Sequence, residues 1–88
     1  MPQITTTINN AVGLHARPAA LFVQTAKQYT STISVRNGER KANAKSMVQV
    51  LTLGAKQGTE LLILAEGDDA DQALTALQEL IEANFHET

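Results

Sequence analysis

Cysteine and tryptophan are absent from this sequence, and its only aromatic residues are one tyrosine and two phenylalanines. The missing cysteine excludes a disulfide framework and a thiolate metal cluster. The two histidines, His15 and His86, stand far apart, a poor basis for a zinc site, so neither a metal nor a cofactor is expected. A basic surplus is missing too, the formal net charge being −2. With so few aromatic rings for stacking, nucleic acid is not an expected partner; another protein is. No apolar run approaches the ~20 residues that a membrane-spanning helix needs. The opening MPQITTT has neither the basic start nor the apolar core of a signal peptide. The expectation is a cytoplasmic protein without membrane insertion. No composition shift, internal repeat or low-complexity segment divides the chain, so residues 1–88 read as one domain. A chain of this size hides roughly 60–70% of its unfolded surface on folding, which gives a modest core.

Hydrophobic periodicity then orders the elements. In residues 3–8, Ile4 and Ile8 share one face with threonines filling the pleat, the pattern of a half-buried strand. From Ala16 to Lys27 the residues Ala16, Ala19, Phe22, Val23 and Ala26 recur at helical spacing. Arg17, Leu21, Gln24 and Gln28 fall on the other side, with Leu21 expected to be exposed. Residues 32–36 alternate with Ile33 and Val35 inward, and Asn37-Gly38 signals a hairpin that returns through residues 39–44. Ser46 and Gln49 fit a capping box for a short helix running to Gly54. Residues 60–66 form a further strand. Asp69 is the expected cap of a last helix with an apolar stripe of Ala70, Ala73, Leu74, Leu77, Leu80 and Ile81. The order is βαββαβα, an α+β chain whose simplest layering puts helices on one face of a mainly antiparallel sheet.

The segment GLHARPAA, residues 13–20, carries the chemistry. Gly13 permits a tight turn, and Pro18 fits the first turn of a helix, where backbone N–H groups have no helical acceptor. Taken alone, a histidine is more often a surface or packing residue, and an arginine more often a solvated helix charge. Together at a helix start they outline a phosphoryl site. The neutral imidazole of His15 is a nucleophile. A phosphoryl group on it would lie close to the amides of Ala16 and Arg17 and to the Arg17 guanidinium. One arginine with helix amides suits reversible transfer between two protein surfaces better than hydrolysis in a closed pocket.

The short helix after Ser46 is apolar nearly all round, more than one packed face can hide. Its excess reads either as scattered surface hydrophobes or as a docking patch beside His15, completed by Ala20, Leu21, Gln24 and Lys27. Val50 and Leu53 are assigned to the core. Ser46 itself is fully explained as a helix cap.

With GLHARPAA and KSMVQVLTLGA, residues 45–55, at their places in this element order, the chain resembles the HPr family of histidine phosphocarriers of the bacterial phosphoenolpyruvate-dependent sugar phosphotransferase system (PTS). The resemblance covers essentially the whole chain. It implies an HPr-like open-faced β-sandwich, four antiparallel strands in the order 1-4-2-3 with three helices on one face. It also implies that Nδ1 of His15 forms a pros-phosphohistidine, with enzyme I as donor, a sugar-specific enzyme IIA domain as acceptor, and Arg17 stabilising the group. Met47, Val48 and Leu51 match family contact positions. Ser46 matches a serine that HPr kinase/phosphorylase phosphorylates in many relatives of Gram-positive type, lowering phosphorylation at His15 and promoting binding to catabolite control protein A, a route to carbon catabolite repression. A monomeric carrier, not a turnover enzyme, is implied.

Three departures qualify the resemblance. Val12 occupies a position that is commonly small and polar in the family, Gln49 replaces a glycine of many Gram-positive members, and Leu51 replaces a common methionine. Leu62 and Leu64 also interrupt the alternation of an open sheet face, which points to a partly covered face or to self-association. The rival readings are a carrier in a nitrogen-related phosphotransferase branch and a non-catalytic α+β binding module that uses its sheet.

Overall fold

The computed structural model describes residues 2–86; Met1, Glu87 and Thr88, part of the expected 1–88 domain, lie outside the described residues. The elements are β1 (Gln3–Thr7), α1 (Ala16–Ala26), β2 (Thr32–Asn37), β3 (Arg40–Asn43), α2 (Met47–Leu51), β4 (Glu60–Glu66) and α3 (Ala70–Glu82), followed by a 3-10 turn at Asn84–His86. The sheet is antiparallel with the order β1-β4-β2-β3. Its registry puts Ile4 opposite Ile63, Ile63 opposite Val35, and Val35 opposite Ala42, so one face is apolar across all four strands. The helices cover that face. Phe22 of α1, Val50 of α2, and Leu77 and Ile81 of α3 are fully buried against the sheet core. Each such side chain contributes about 1.5–3 kcal/mol through burial. The whole expected stripe of α3, from Ala70 to Ile81, is buried, and so are Val50 and Leu53.

Four local expectations are corrected. First, the hairpin turn is Gly38-Glu39, not Asn37-Gly38, because Asn37 still pairs with Arg40. Gly38 takes φ +62 at the first central position, the II′ pattern, and the Asn37 side chain donates to the Leu53 carbonyl at 2.8 Å. Second, the capping box is only half made. Ser46 Oγ accepts the Gln49 N–H at 3.3 Å, but Gln49 Oε1 accepts from the Asn43 amide at 2.9 Å, because the Ser46 amide is already bonded to the Asn43 carbonyl. Third, Asp69 stands at the start of α3 without capping it. Its carboxylate instead accepts from the backbone and hydroxyl groups of Thr30 and Ser31, fastening the α1–β2 loop. Gly67 makes room for this approach, since a Cβ there would lie 2.5 Å from Ser31 Oγ. Fourth, Leu21 is half-buried and packs against the core.

The last turn departs from ordinary backbone geometry. Asn84, Phe85 and His86 have φ of 53°, 56° and 60°, a left-handed turn of non-glycine residues, with Phe85 inserted into the core. Burying the phenyl ring offsets part of a conformation that costs L-residues roughly 1–2 kcal/mol each.

Candidate functional site

The loop between β1 and α1 is bonded to the segment that follows α2. Ile8 donates to the Thr59 carbonyl at 2.8 Å and accepts from Gly58 at 2.7 Å. Gln57 Nε2 reaches the Asn9 carbonyl at 3.1 Å, and Leu14 donates to the Ala55 carbonyl at 2.9 Å. Between these ties the chain reverses at Gly13, where φ is +70 and a Cβ would lie 2.5 Å from both the Ala55 oxygen and the Lys56 Cα. No side chain fits there. The buried Asn10 closes the turn, its Nδ2 donating to the Gly13 carbonyl at 2.9 Å while its own carbonyl accepts the Gly13 amide at 3.2 Å. Hydrophobic periodicity gives no sign of Asn10, which lies between the first strand and the helix. The asparagine three residues before the glycine was the available signal, since asparagine side chains bond nearby backbone in turns.

Leu14 is buried and His15, the next residue, is exposed, so the turn throws the imidazole outward. His15 is the N-cap of α1, with extended backbone at φ −103 and ψ −172, and its carbonyl accepts the Ala19 amide at 2.8 Å. Its ring makes no capping bond to the helix. The amides of Ala16 and Arg17 occupy the first two helical positions, where no preceding turn supplies an acceptor. Pro18 follows at the third position, buried, and has no N–H to donate. An exposed histidine, an exposed arginine and two open amides therefore converge on one helix start. Such a set can bind a tetrahedral anion on the imidazole from one side and leave the other side open to a second protein.

The anchored loop also sets α2 beside α1. Of the residues expected to dock a partner, Val48 is 73% exposed and Leu51 42%, whereas Met47, Ala20 and Leu21 are half-buried and Gln24 and Lys27 exposed. An α2 of five residues cannot bury more than one side, and Val50 takes the inward position. Among the described residues, Val12, 57% exposed in the loop before His15, is the third large apolar side chain in the open. Ser46 is half-buried at the start of α2. Among the described residues no cluster of three histidine, cysteine or acidic side chains could hold a metal ion, and no helix is long and apolar enough to cross a membrane.

The family model for the PTS HPr component phosphorylation site matches residues 2–83. The phosphocarrier protein HPr of Pseudomonas aeruginosa is 46% identical over 88 residues, 99% of this chain and 98% of the relative. A multiphosphoryl transfer protein of Salmonella typhimurium is 42% identical over 83 residues; the match takes in 91% of this chain but only 22% of that longer protein. Among solved structures, HPr from Thermoanaerobacter tengcongensis superposes with a TM-score of 0.97 at 49% identity, covering 100% of this chain and 99% of the other. The strand order and the three helices are those of an HPr-like open-faced sandwich. The chain thus belongs to the PTS HPr family, and within that family it is a phosphocarrier with a part in phosphoryl transfer, not a turnover enzyme.

Proposed function

We propose that residues 1–88 act as one monomeric HPr domain in the cytoplasm, accepting a phosphoryl group on His15 from phosphorylated enzyme I and delivering it to enzyme IIA domains during sugar uptake. The observation that carries this reading is the exposed imidazole at the N-cap of α1, free of any capping bond, followed by Ala16 and an exposed Arg17 at the first two helical positions. In the first step the lone pair of His15 Nδ1 attacks phosphorus, the bond from phosphorus to the donor atom breaks, and the new P–N bond forms. The second step reverses this towards the acceptor. Arg17 and the two amides meet the phosphoryl oxygens and limit charge repulsion between the approaching surfaces. Their small number keeps the phosphohistidine from becoming so stable that it cannot be passed on. Ala20, Leu21, Gln24, Lys27, Met47, Val48 and Leu51 form the surface on which donor and acceptor dock in turn.

Ser46 supports a regulatory role in the same scheme. A phosphoryl group there, added by an HPr kinase/phosphorylase, would place about −1.5 to −2 charges between the docking residues of α2 and an approaching partner. It would oppose an acidic enzyme I surface and favour a receptor such as catabolite control protein A. The test combines enzyme I, magnesium and phosphoenolpyruvate with the wild type, His15→Ala and Ser46→Asp. The expected result is one acid-labile phosphate on the wild type, none on His15→Ala and slower labelling of Ser46→Asp. Labelling that survives His15→Ala would overturn the site, and an unchanged rate for Ser46→Asp would overturn the regulation.

A further inference from the structure

The sheet face turned away from the helices is neither uniformly polar nor electrically balanced. Leu62 and Leu64 lie on it, half-buried, at the middle of the central strand β4. The registry places Arg36 directly opposite Leu62 and Lys41 directly opposite Arg36, so an apolar centre is bordered by two cations on adjacent strands. Like charges in direct cross-strand register are unfavourable. Neither cation has a carboxylate partner among the described residues, although Glu60 and Glu66 share the face at the two ends of β4. Shallow recesses of about 300 Å³ and 290 Å³ open beside Leu64 and Leu62, and Arg36 borders both.

We propose that this open face is a docking surface for an amphipathic helix of another protein, its apolar stripe flanked on one side by carboxylates. The charge pattern selects the partner: an acidic flank over β2 and β3 would relieve the repulsion between Arg36 and Lys41 while the stripe covers Leu62 and Leu64. Spacing selects the helix. Alternate residues of a strand are about 6.7 Å apart, close to the rise of about 6 Å between residues four apart on a helix. The neighbouring strands lie about 4.8 Å and 10 Å to the side, within reach of long acidic side chains. A helix here would complete a third layer, opposite the one already formed by α1, α2 and α3. An extended peptide would instead seek the edges of β1 or β3, where unpaired backbone groups are available. The inference is independent of phosphoryl transfer, since none of these residues belongs to the His15 site.

The test titrates the 15N-labelled protein with a synthetic helix-forming peptide of about 15 residues, leucines along one stripe and glutamates along one flank. A control peptide carries lysine at every glutamate position. The expected result is a set of amide shifts confined to β2, β3 and β4, absent with the lysine peptide. Affinity should fall about tenfold in the Arg36→Gln/Lys41→Gln double variant, and as much in Leu62→Thr, with thermal midpoints showing that both remain folded. His15→Ala should bind like the wild type. Shifts centred on α1 and α2, equal binding of both peptides, or no shifts would overturn the proposal. Concentration-dependent shifts of the same amides without peptide would assign the face to a second copy of this chain and overturn it as well.

Discussion

Gly13 and Asp69 show how far single residues set this structure. At Gly13 a methyl group meets both a positive φ and two backbone atoms, neither of which can move like the end of a flexible side chain. Gly13→Ala should therefore destabilise the fold by roughly 2 kcal/mol or more, measurable by urea denaturation, and slow phosphorylation of His15 by disturbing the loop that projects it. Asp69 acts through protonation. Hydrogen bonds from Ser31 and Thr30, the Ser31 hydroxyl foremost, lower its pKa from 3.8 to about 2. A carboxylate that is more acidic folded than unfolded contributes stability that is complete above the unfolded value and is lost as pH falls through the folded one. The thermal midpoint should accordingly drop between about pH 4 and pH 2, and Asp69→Asn should flatten that part of the curve. The sequence showed an Asp before an apolar stripe, so its place at the start of α3 was legible. Its bonds to Thr30 and Ser31, 39 and 38 residues away, were not, because only the folded chain brings the α1–β2 loop to that helix end.

At the scale of elements, α2 is the test of how its ends are held. Ser46 serves its own helix, but Gln49 reaches across to the amide of Asn43 at the end of β3. Ser46→Ala should cost about 1 kcal/mol, the usual worth of an N-cap. Gln49→Ala should cost a similar amount through a different bond. Because the two do not form a reciprocal pair, a double-mutant cycle in urea should give a coupling below about 0.5 kcal/mol. The motif serine-x-x-glutamine was visible in the sequence, whereas the donor that Gln49 Oε1 meets depended on Asn43 having turned its amide towards the helix. The same reason explains the hairpin. Asn-Gly marked a turn, and pairing of β2 with β3 moved the reversal one residue on, freeing the Asn37 amide group for the Leu53 carbonyl near the end of α2. Element existence and the stripe of α3 followed from periodicity, which burial enforces directly; side-chain bonds between elements did not, because they depend on tertiary neighbours.

For the whole molecule the decisive arrangement is the central position of β4, which receives β1 on one side and β2 on the other. Every amide of a central strand can be paired, while β1 and β3 each leave one edge open. Hydrogen exchange under native conditions should therefore be slowest in Leu61, Ile63 and Ala65, buried on the helix side, and faster at the outward edge of β3. Uniform protection across the sheet would contradict this ranking. The strand order was available from family resemblance and not from periodicity, since alternation tells which face a strand buries but not which strand lies next to it.

The pairing of β1 with β4 has a further consequence during synthesis. Thr7 and its partner Glu60 are separated by roughly 50 residues of chain, which a ribosome adding about 5–20 residues per second needs about 3–10 s to make. Through that interval Ile4 and Ile8 have been translated but their sheet neighbour has not. The β2–β3 hairpin, closed by a two-residue turn, can form as soon as it emerges. Assembly on the ribosome thus runs inward from a local hairpin to a late closure by the first strand made, and that closure fixes the loop on which His15 stands.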